Sequence, residues 1–237
     1  MNERVYIHEF IDVIGHNRAN YMQHMTANWS PIGQEERGQL CYGVWALVGS
    51  TGRWPQTVNM WEHDGWSGLA ASLAVETVGR GAQDPALERW WAKAAEFRRG
   101  GVDRTMVPAP WTRPIEQLCA EGVRGDVYAH ELVTVAPGGA AGVLERARDA
   151  ADMHGRHGWE LVGAFTTAMT NDHEALLLWA IPTWQQWADG EHDADLGKWR
   201  RALDPVTWNR ILLVDAPLCP FRIGRQPARS DRVDWHE

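Results

Sequence analysis

The chain predicts an α+β fold in which one β-α-β-β-α-β unit is written twice, and three observations carry that expectation. Val5-Tyr6-Ile7-His8-Glu9-Phe10 returns as Val127-Tyr128-Ala129-His130-Glu131-Leu132, with Val, Tyr, His and Glu in register. The correspondence continues through Gly43-Val44-Trp45 with Gly163-Ala164-Phe165, Trp61 with Trp179, Trp66 with Trp184, Trp90 with Trp199, and Ala109-Pro110 with Ala216-Pro217. The offset only shrinks, from 127 − 5 = 122 to 217 − 110 = 107. A second copy behaves this way when it loses residues from surface connections rather than from packed elements.

Within the first copy, Val5 to Val13 alternates and is rich in β-branched and aromatic types, so it reads as a strand. Gly15 to about Asn28 carries Ala19, Met22, Met25 and Trp29 at helical spacing, and Ser30-Pro31 is expected to stop that helix. Leu40 to Val48 and Thr57 to Trp61 form a hairpin around Ser50-Thr51-Gly52. Gly65 to Val78 and Pro85 to Arg99 read as helices separated by Gly79-Arg80-Gly81, with Asp84-Pro85 as N-cap and first helical residue. Gly100-Gly101 should end the second of them, leaving Thr105 to Pro108 as a short closing strand.

The second copy repeats the order. Val127 to Val135 is a strand, Pro137-Gly138-Gly139 a turn and Ala141 to His157 a helix. Trp159 to Met169 and Glu174 to Ile181 form a hairpin, Thr183 to Asp189 and Asp195 to Leu203 are helical, and Arg210 to Asp215 closes the unit. The expected organisation is 1–110, a Pro/Gly connector 111–125, a second unit 126–223 and a polar tail 224–237 lying loosely on the surface. The order is ferredoxin-like, with helices on one face of each antiparallel sheet. The other face must be covered, and both faces of Leu161 to Phe165 are nonpolar. Two such sheets packed face to face would bury both, giving an α+β barrel within one chain.

Composition narrows the function classes. A net charge of −8 and the lack of a basic patch with interleaved aromatics argue against nucleic acid as a partner. Cys41, Cys119 and Cys219 have no CxxC spacing, which disfavours a structural zinc site or a disulfide framework and suggests reduced thiols. No apolar run approaches a membrane span, so a cytoplasmic protein without a membrane partner is expected. Gly-rich phosphate loops, nucleophile elbows and HExxH are absent from the sequence, which disfavours nucleotide-dependent, serine-hydrolase and zincin chemistry.

The order of elements, the opening Val5-Tyr6 and the run Val58-Asn59-Met60-Trp61-Glu62 before a helix resemble the NIPSNAP family of the dimeric α+β barrel superfamily. Leu177-Leu178-Trp179 before Pro182-Thr183-Trp184 is similar in the second copy. The family's glutamate and arginine after the first tyrosine are not matched, since His8-Glu9 and His130-Glu131 stand there. The resemblance implies a pseudo-dimeric monomer, with a homodimer of it as the other assembly, and pockets between each sheet and its helices. It also implies a class of activities: cofactor-independent monooxygenases, cyclases, isomerases and lactonases on small hydrophobic or aromatic molecules, with haem enzymes as another branch. Fold alone chooses none of these.

The candidate chemistry falls into two groups. His8 with Tyr6, and Tyr128 with His130, form His–Tyr faces suited to general-base and oxyanion roles, while strand alternation sends Glu9 to the opposite face. Their recurrence in both copies favours a structural role, because duplication keeps packing needs more readily than it keeps two active sites. Glu62-His63-Asp64 has no polar counterpart in Ala180-Ile181-Pro182. That asymmetry suggests one site per chain, with His63 as base, Asp64 or Glu62 as its orienter, and Arg53 and Arg98 facing an anionic substrate. Among 15 Trp residues, the recurring Trp61, Trp66, Trp90, Trp179, Trp184 and Trp199 are expected in the core. Trp45, Trp54, Trp91 and Trp111 are less clearly paired, and any that line a cavity would favour flat apolar ligands by stacking; Trp45 and Trp61 are taken as substrate-binding. His154 and His157, with His192, Asp193 or Asp195, are weighed as metal ligands and His24 or His154 as an axial haem ligand. The expected reading is an enzyme without metal or nucleotide cofactor, acting by proton transfer on a hydrophobic or aromatic metabolite, with a noncatalytic binding or scaffold protein as the competing class.

Overall fold

The computed structural model describes residues 1–78 and 84–232. Its strands are β1 Val5–Val13, β2 Leu40–Leu47, β3 Gln56–His63, β4 Arg98–Pro108, β5 Val127–Thr134, β6 Glu160–Thr167, β7 Glu174–Ile181 and β8 Thr207–Asp215. They close into one antiparallel barrel in the order β1-β3-β2-β8-β5-β7-β6-β4. The expected pair of facing sheets is thus a continuous ring, because β2 pairs with β8 and β4 with β6, so no edge is left unpaired. Closure is finished by two matching hydrogen bonds: Ala109 N donates to Ala164 O at 2.8 Å, and Ala216 N to Val44 O at 2.9 Å.

Alternation along β1 decides which side chains share a space. Tyr6, His8 and Phe10 point into the barrel, where their cross-strand partners are Glu62, Met60 and Val58. Ile7 and Glu9, opposite Trp61 and Asn59, point outward beneath the helices. Gly43 and Gly163 both lie at register shifts, in β2 and β6. A Cβ on Gly43 would sit 2.0 Å from the Trp45 ring and one on Gly163 2.5 Å from the Phe165 ring, so each glycine makes room for the ring two residues on.

Four expectations are corrected. Ser30-Pro31 does not stop the first helix: α1 Arg18–Gln23 runs through a π-helical stretch, His24–Trp29, into α2 Ser30–Arg37. The widened turn, in which Ser30 N–H bonds to the Met25 carbonyl, brings Pro31 into the first turn of α2, where a missing N–H costs nothing. Gly100-Gly101 lies inside β4 instead of ending a helix. Here a Cβ on Gly101 would be 2.1 Å from the Phe10 carbonyl oxygen, so the glycine lets β1 approach. The expected long helix over 141–157 is two, α6 Ala140–Asp149 and α7 Ala151–Gly155. The tail from Gly224 is tied down as far as residue 232: the Gln226 amide donates to Cys41 O and accepts from Cys41 N, both at 2.8 Å, and Arg229 pairs with Glu35.

Helices α3 Gly65–Glu76 and α4 Pro85–Ala94 cover the first outer face, and α6, α7, α8 Trp184–His192 and α9 Ala194–Ala202 the second. The turn expected at Gly79-Arg80-Gly81 lies outside the described residues. The expected connector contains a helix of its own, α5 Ile115–Ala120, whose Ile115 and Leu118 are buried. Trp66 and Trp184, expected in the core, are 50 % and 43 % exposed; both stand near helix starts, where the first turn looks outward.

Candidate active site

The predicted site residues separate into three places. Six of them lie inside the barrel. Tyr6 packs edge-on against Tyr42 and Phe165, and Trp45, Tyr128 and the Phe221 ring pack together with centroids 5.5–5.9 Å apart. His8 and His130 meet at the centre, with Nε2 atoms 2.8 Å apart and rings stacked at 5.0 Å. Neither Nδ1 has a partner. Burial holds both imidazoles neutral, His8 well below its ordinary range with His130 and Arg104 adding to the effect, and His130 at about 3 with Arg104 adding to it. Glu62 belongs to this interior. Its Oε2 accepts from Tyr6 Oη and Ile115 N, both at 2.9 Å, Arg4 Nε lies 3.7 Å from Oε1, and burial raises its pKa.

Two others are on the surface. Asp64 pairs with Arg4 at 2.7 Å with a side chain 87 % exposed, and Arg53 pairs with Asp12 at 3.0 Å. The expected base and orienter are therefore not brought together. β3 extends through His63, so alternation turns Glu62 inward and His63 outward, and Asp64 begins the loop to α3.

His63 and Trp61 occupy the third place, a cavity of about 460 Å³ between the outer face of the first-half strands and the helices above. Its walls carry Trp29, Trp61, Trp66, Trp90 and Trp91, with Leu69 and Leu87 from α3 and α4. This is the location expected between a sheet and its helices. His63 is 1 % exposed, neither ring nitrogen has a hydrogen-bond partner, and burial lowers its pKa to about 4, so it is a neutral imidazole in the wall. Arg98 lies beside the cavity, its guanidinium 3.8 Å from the centre of the Trp91 ring.

Sequence reasoning missed two groups here, Glu9 and Asp103. They are cross-strand partners on β1 and β4, both facing this cavity. Glu9 Oε2 accepts from Asn59 Nδ2 and Trp61 Nε1, each at 2.9 Å; Oε1 has no partner among the described residues. Desolvation is the largest influence on Glu9 and, with Asp103 as a like charge beside it, raises its pKa. Asp103 stands exposed at the rim, and partial desolvation raises it too. The available signal was the 107-residue offset that aligns Ala109 with Ala216, because it also aligns Asp103 with Arg210.

The second half fills the matching space. Glu131 accepts from Trp179 Nε1 at 3.2 Å and from Arg210 Nε at 2.6 Å, while His154 stacks on Trp179 with centroids 3.9 Å apart. His154 Nδ1 bonds to Ala150 O, and His157 instead pairs with Asp193 at 2.7 Å, so the two do not converge. Among the described residues, no group of three His, Cys, Asp or Glu could hold a metal ion.

Haem fits neither histidine weighed for it. His24 bonds through both nitrogens, to Trp90 O and Asn28, and stacks on Trp90; His154 lies flat on Trp179. The cavity walls also carry Glu9, Glu76 and Asp103, which would oppose haem's carboxylates, and the guanidinium of Arg104 is already held by Glu174 at 2.7 Å.

The closed antiparallel barrel with helices on its outer face defines the class, a ferredoxin-like α+β barrel. No protein-family model and no curated protein matches the sequence. Among solved structures, an anthrone oxidase-like protein superposes at a TM-score of 0.60 with 11 % identity, covering 90 % of this chain and 92 % of its own. A putative monooxygenase from Lactobacillus acidophilus superposes at 0.59 with 8 % identity over 96 % and 97 %. A NIPSNAP-like domain protein from Burkholderia xenovorans covers 48 % of this chain and 92 % of its own at 14 % identity; its TM-score of 0.38 carries no argument. At these identities the likeness is one of fold. Among the described residues, no helix is long and apolar enough to cross a membrane.

Proposed function

We propose that the chain is a small-molecule enzyme of the cofactor-independent cyclase, isomerase or monooxygenase type, acting by proton transfer on a hydrophobic or aromatic metabolite. The observation that carries this reading is the tryptophan-walled cavity of about 460 Å³ with three uncommitted proton acceptors, Glu9, Asp103 and His63. Five indoles give a flat ligand stacking surfaces. A carboxylate whose pKa is raised, with one oxygen free of donors among the described residues, is a stronger base toward a ligand C–H or O–H than a solvated one. Trp61 holds Glu9 in place through its indole N–H, so one residue both stacks and orients. His63 is the second acceptor, within the same wall.

The barrel interior, by contrast, is committed to packing, and His8 and His130 serve there as each other's partner. The narrower assignments belong to this reading as well: NIPSNAP kinship on the Val5-Tyr6 and Asn59-Met60-Trp61-Glu62 motifs, two copies at 1–110 and 126–223, and a cytoplasmic pseudo-dimeric monomer. The duplication is supported by the paired closure bonds and by the paired glycines in β2 and β6.

The test is a panel of flat phenols, aromatic ketones and polycyclic quinols incubated aerobically with the protein and followed by absorbance and mass spectrometry. Turnover is expected, with Glu9→Gln lowering it at least about 100-fold while ligand binding persists. Binding without turnover for every compound, in the parent as well, would establish the noncatalytic binding reading instead.

A further inference from the structure

The two outer faces solve the same electrostatic problem differently. Both present a glutamate bonded to a tryptophan indole: Glu9 with Trp61, Glu131 with Trp179. In the second half the strand opposite supplies Arg210, whose guanidinium binds Glu131 and lies 5.8 Å from the Trp159 ring. In the first half the corresponding strand position is Asp103. The chain thus places its own cation on one platform and an extra anion on the other. The platform without the cation has the open cavity above it, whereas His154 covers Trp179 on the other.

Resting on the reading of this cavity as a ligand site, we propose that its ligand carries a cationic nitrogen, a protonated amine or a quaternary ammonium on a flat apolar body, held between Glu9 and Asp103 and faced by indoles. Tryptophan faces attract cations by their quadrupole, and the carboxylates, Glu9 desolvated in the wall and Asp103 at the rim, add charge attraction. Neither carboxylate forms an ion pair within 4 Å among the described residues. Arg98, beside the cavity, is occupied with the Trp91 face and the Tyr21 hydroxyl, and its field leaves both carboxylates raised. Arg104 also lines the cavity beside Asp103, but its guanidinium is bound by Glu174 at 2.7 Å, so its charge is already matched there. His63, buried in the same wall with both nitrogens unbonded, shows independently that the cavity has polar capacity the fold itself does not use.

The test is calorimetric titration of the full chain with three probes of one shape: 2-naphthylmethylamine, 2-naphthylmethanol and 2-naphthoate. The ammonium should bind at least about tenfold more tightly than the alcohol, and the carboxylate weakest. Asp103→Asn and Glu9→Gln should each lower ammonium affinity by about tenfold and leave the alcohol within about twofold. Asp103→Arg, which copies the second half, should abolish ammonium binding. Asp103 is exposed, so these variants at that position do not depend on a core contact for folding. Equal affinity for ammonium and alcohol, or no response to Asp103→Asn and Glu9→Gln, would overturn the cationic preference while leaving the aromatic site standing. Failure of all three probes to bind would overturn both.

Discussion

At the scale of single residues, the histidines set the response to acid. His130 titrates near 3 and His63 and His154 near 4, against about 6.5 in an unfolded chain, so the folded state binds fewer protons between those values. A folded pKa below the unfolded one gives stability that is present above about pH 6.5 and is lost as pH falls toward the folded value. Glu9 and Glu62, with raised values, work in the opposite sense at lower pH. One such imidazole accounts for about 2 kcal/mol of lost stability between pH 7 and pH 5. His130→Gln should therefore lose about 2 kcal/mol less than the parent over that interval in urea unfolding; an unchanged difference would contradict the assignment. Glu62 gives a second expectation. Glu62→Ala strands the Tyr6 hydroxyl and the Ile115 amide and should cost about 2–4 kcal/mol, whereas Glu62→Gln keeps an acceptor and should cost less, read from thermal midpoints.

At the scale of elements, the legible parts were those with a period. β1 and its repeat β5 followed from alternation, because one face of each meets the barrel interior, and both hairpins from apolar runs around turn residues. β4 was obscured because Gly100-Gly101 reads as punctuation, while the actual reason for Gly101 is the Phe10 carbonyl, which belongs to another strand. The helix through Pro31 was obscured for a similar reason: a widened turn upstream is not visible in spacing. The site was half legible. Copy asymmetry pointed to His63, which lines the cavity beneath α3 and α4, yet Glu9 was set aside because alternation sends it away from His8, while its partner across the strand, Asp103, went unnoticed. Gly43→Ala tests the element-scale argument. With a Cβ 2.0 Å from the Trp45 ring, it should cost about 2–4 kcal/mol, against less than about 1 kcal/mol for Gly142→Ala, where a Cβ meets nothing within 4 Å.

At the scale of the whole molecule, the ring of strands makes each half the wall of the other. Tyr42 Oη donates to Val162 O at 2.5 Å and Tyr6 lies on Phe165, so neither half completes its own interior. Fragments 1–122 and 123–237 should co-purify as a 1:1 complex when expressed together, by size exclusion and mass spectrometry. Two fragments that each remain folded monomers would contradict this. The interior also explains where chemistry can settle. Inside the barrel a change must suit both halves at once, whereas each outer face answers only to its own helices, so Asp103 and Arg210 differ there without disturbing closure.

The pair at the centre has one more consequence. Between His8 and His130 there is room for a single hydrogen, which one ring must give and the other receive. However alike the two backbones, the axis of the barrel therefore holds a donor on one side and an acceptor on the other. The protein carries a left and a right even at the point where its two halves most resemble each other.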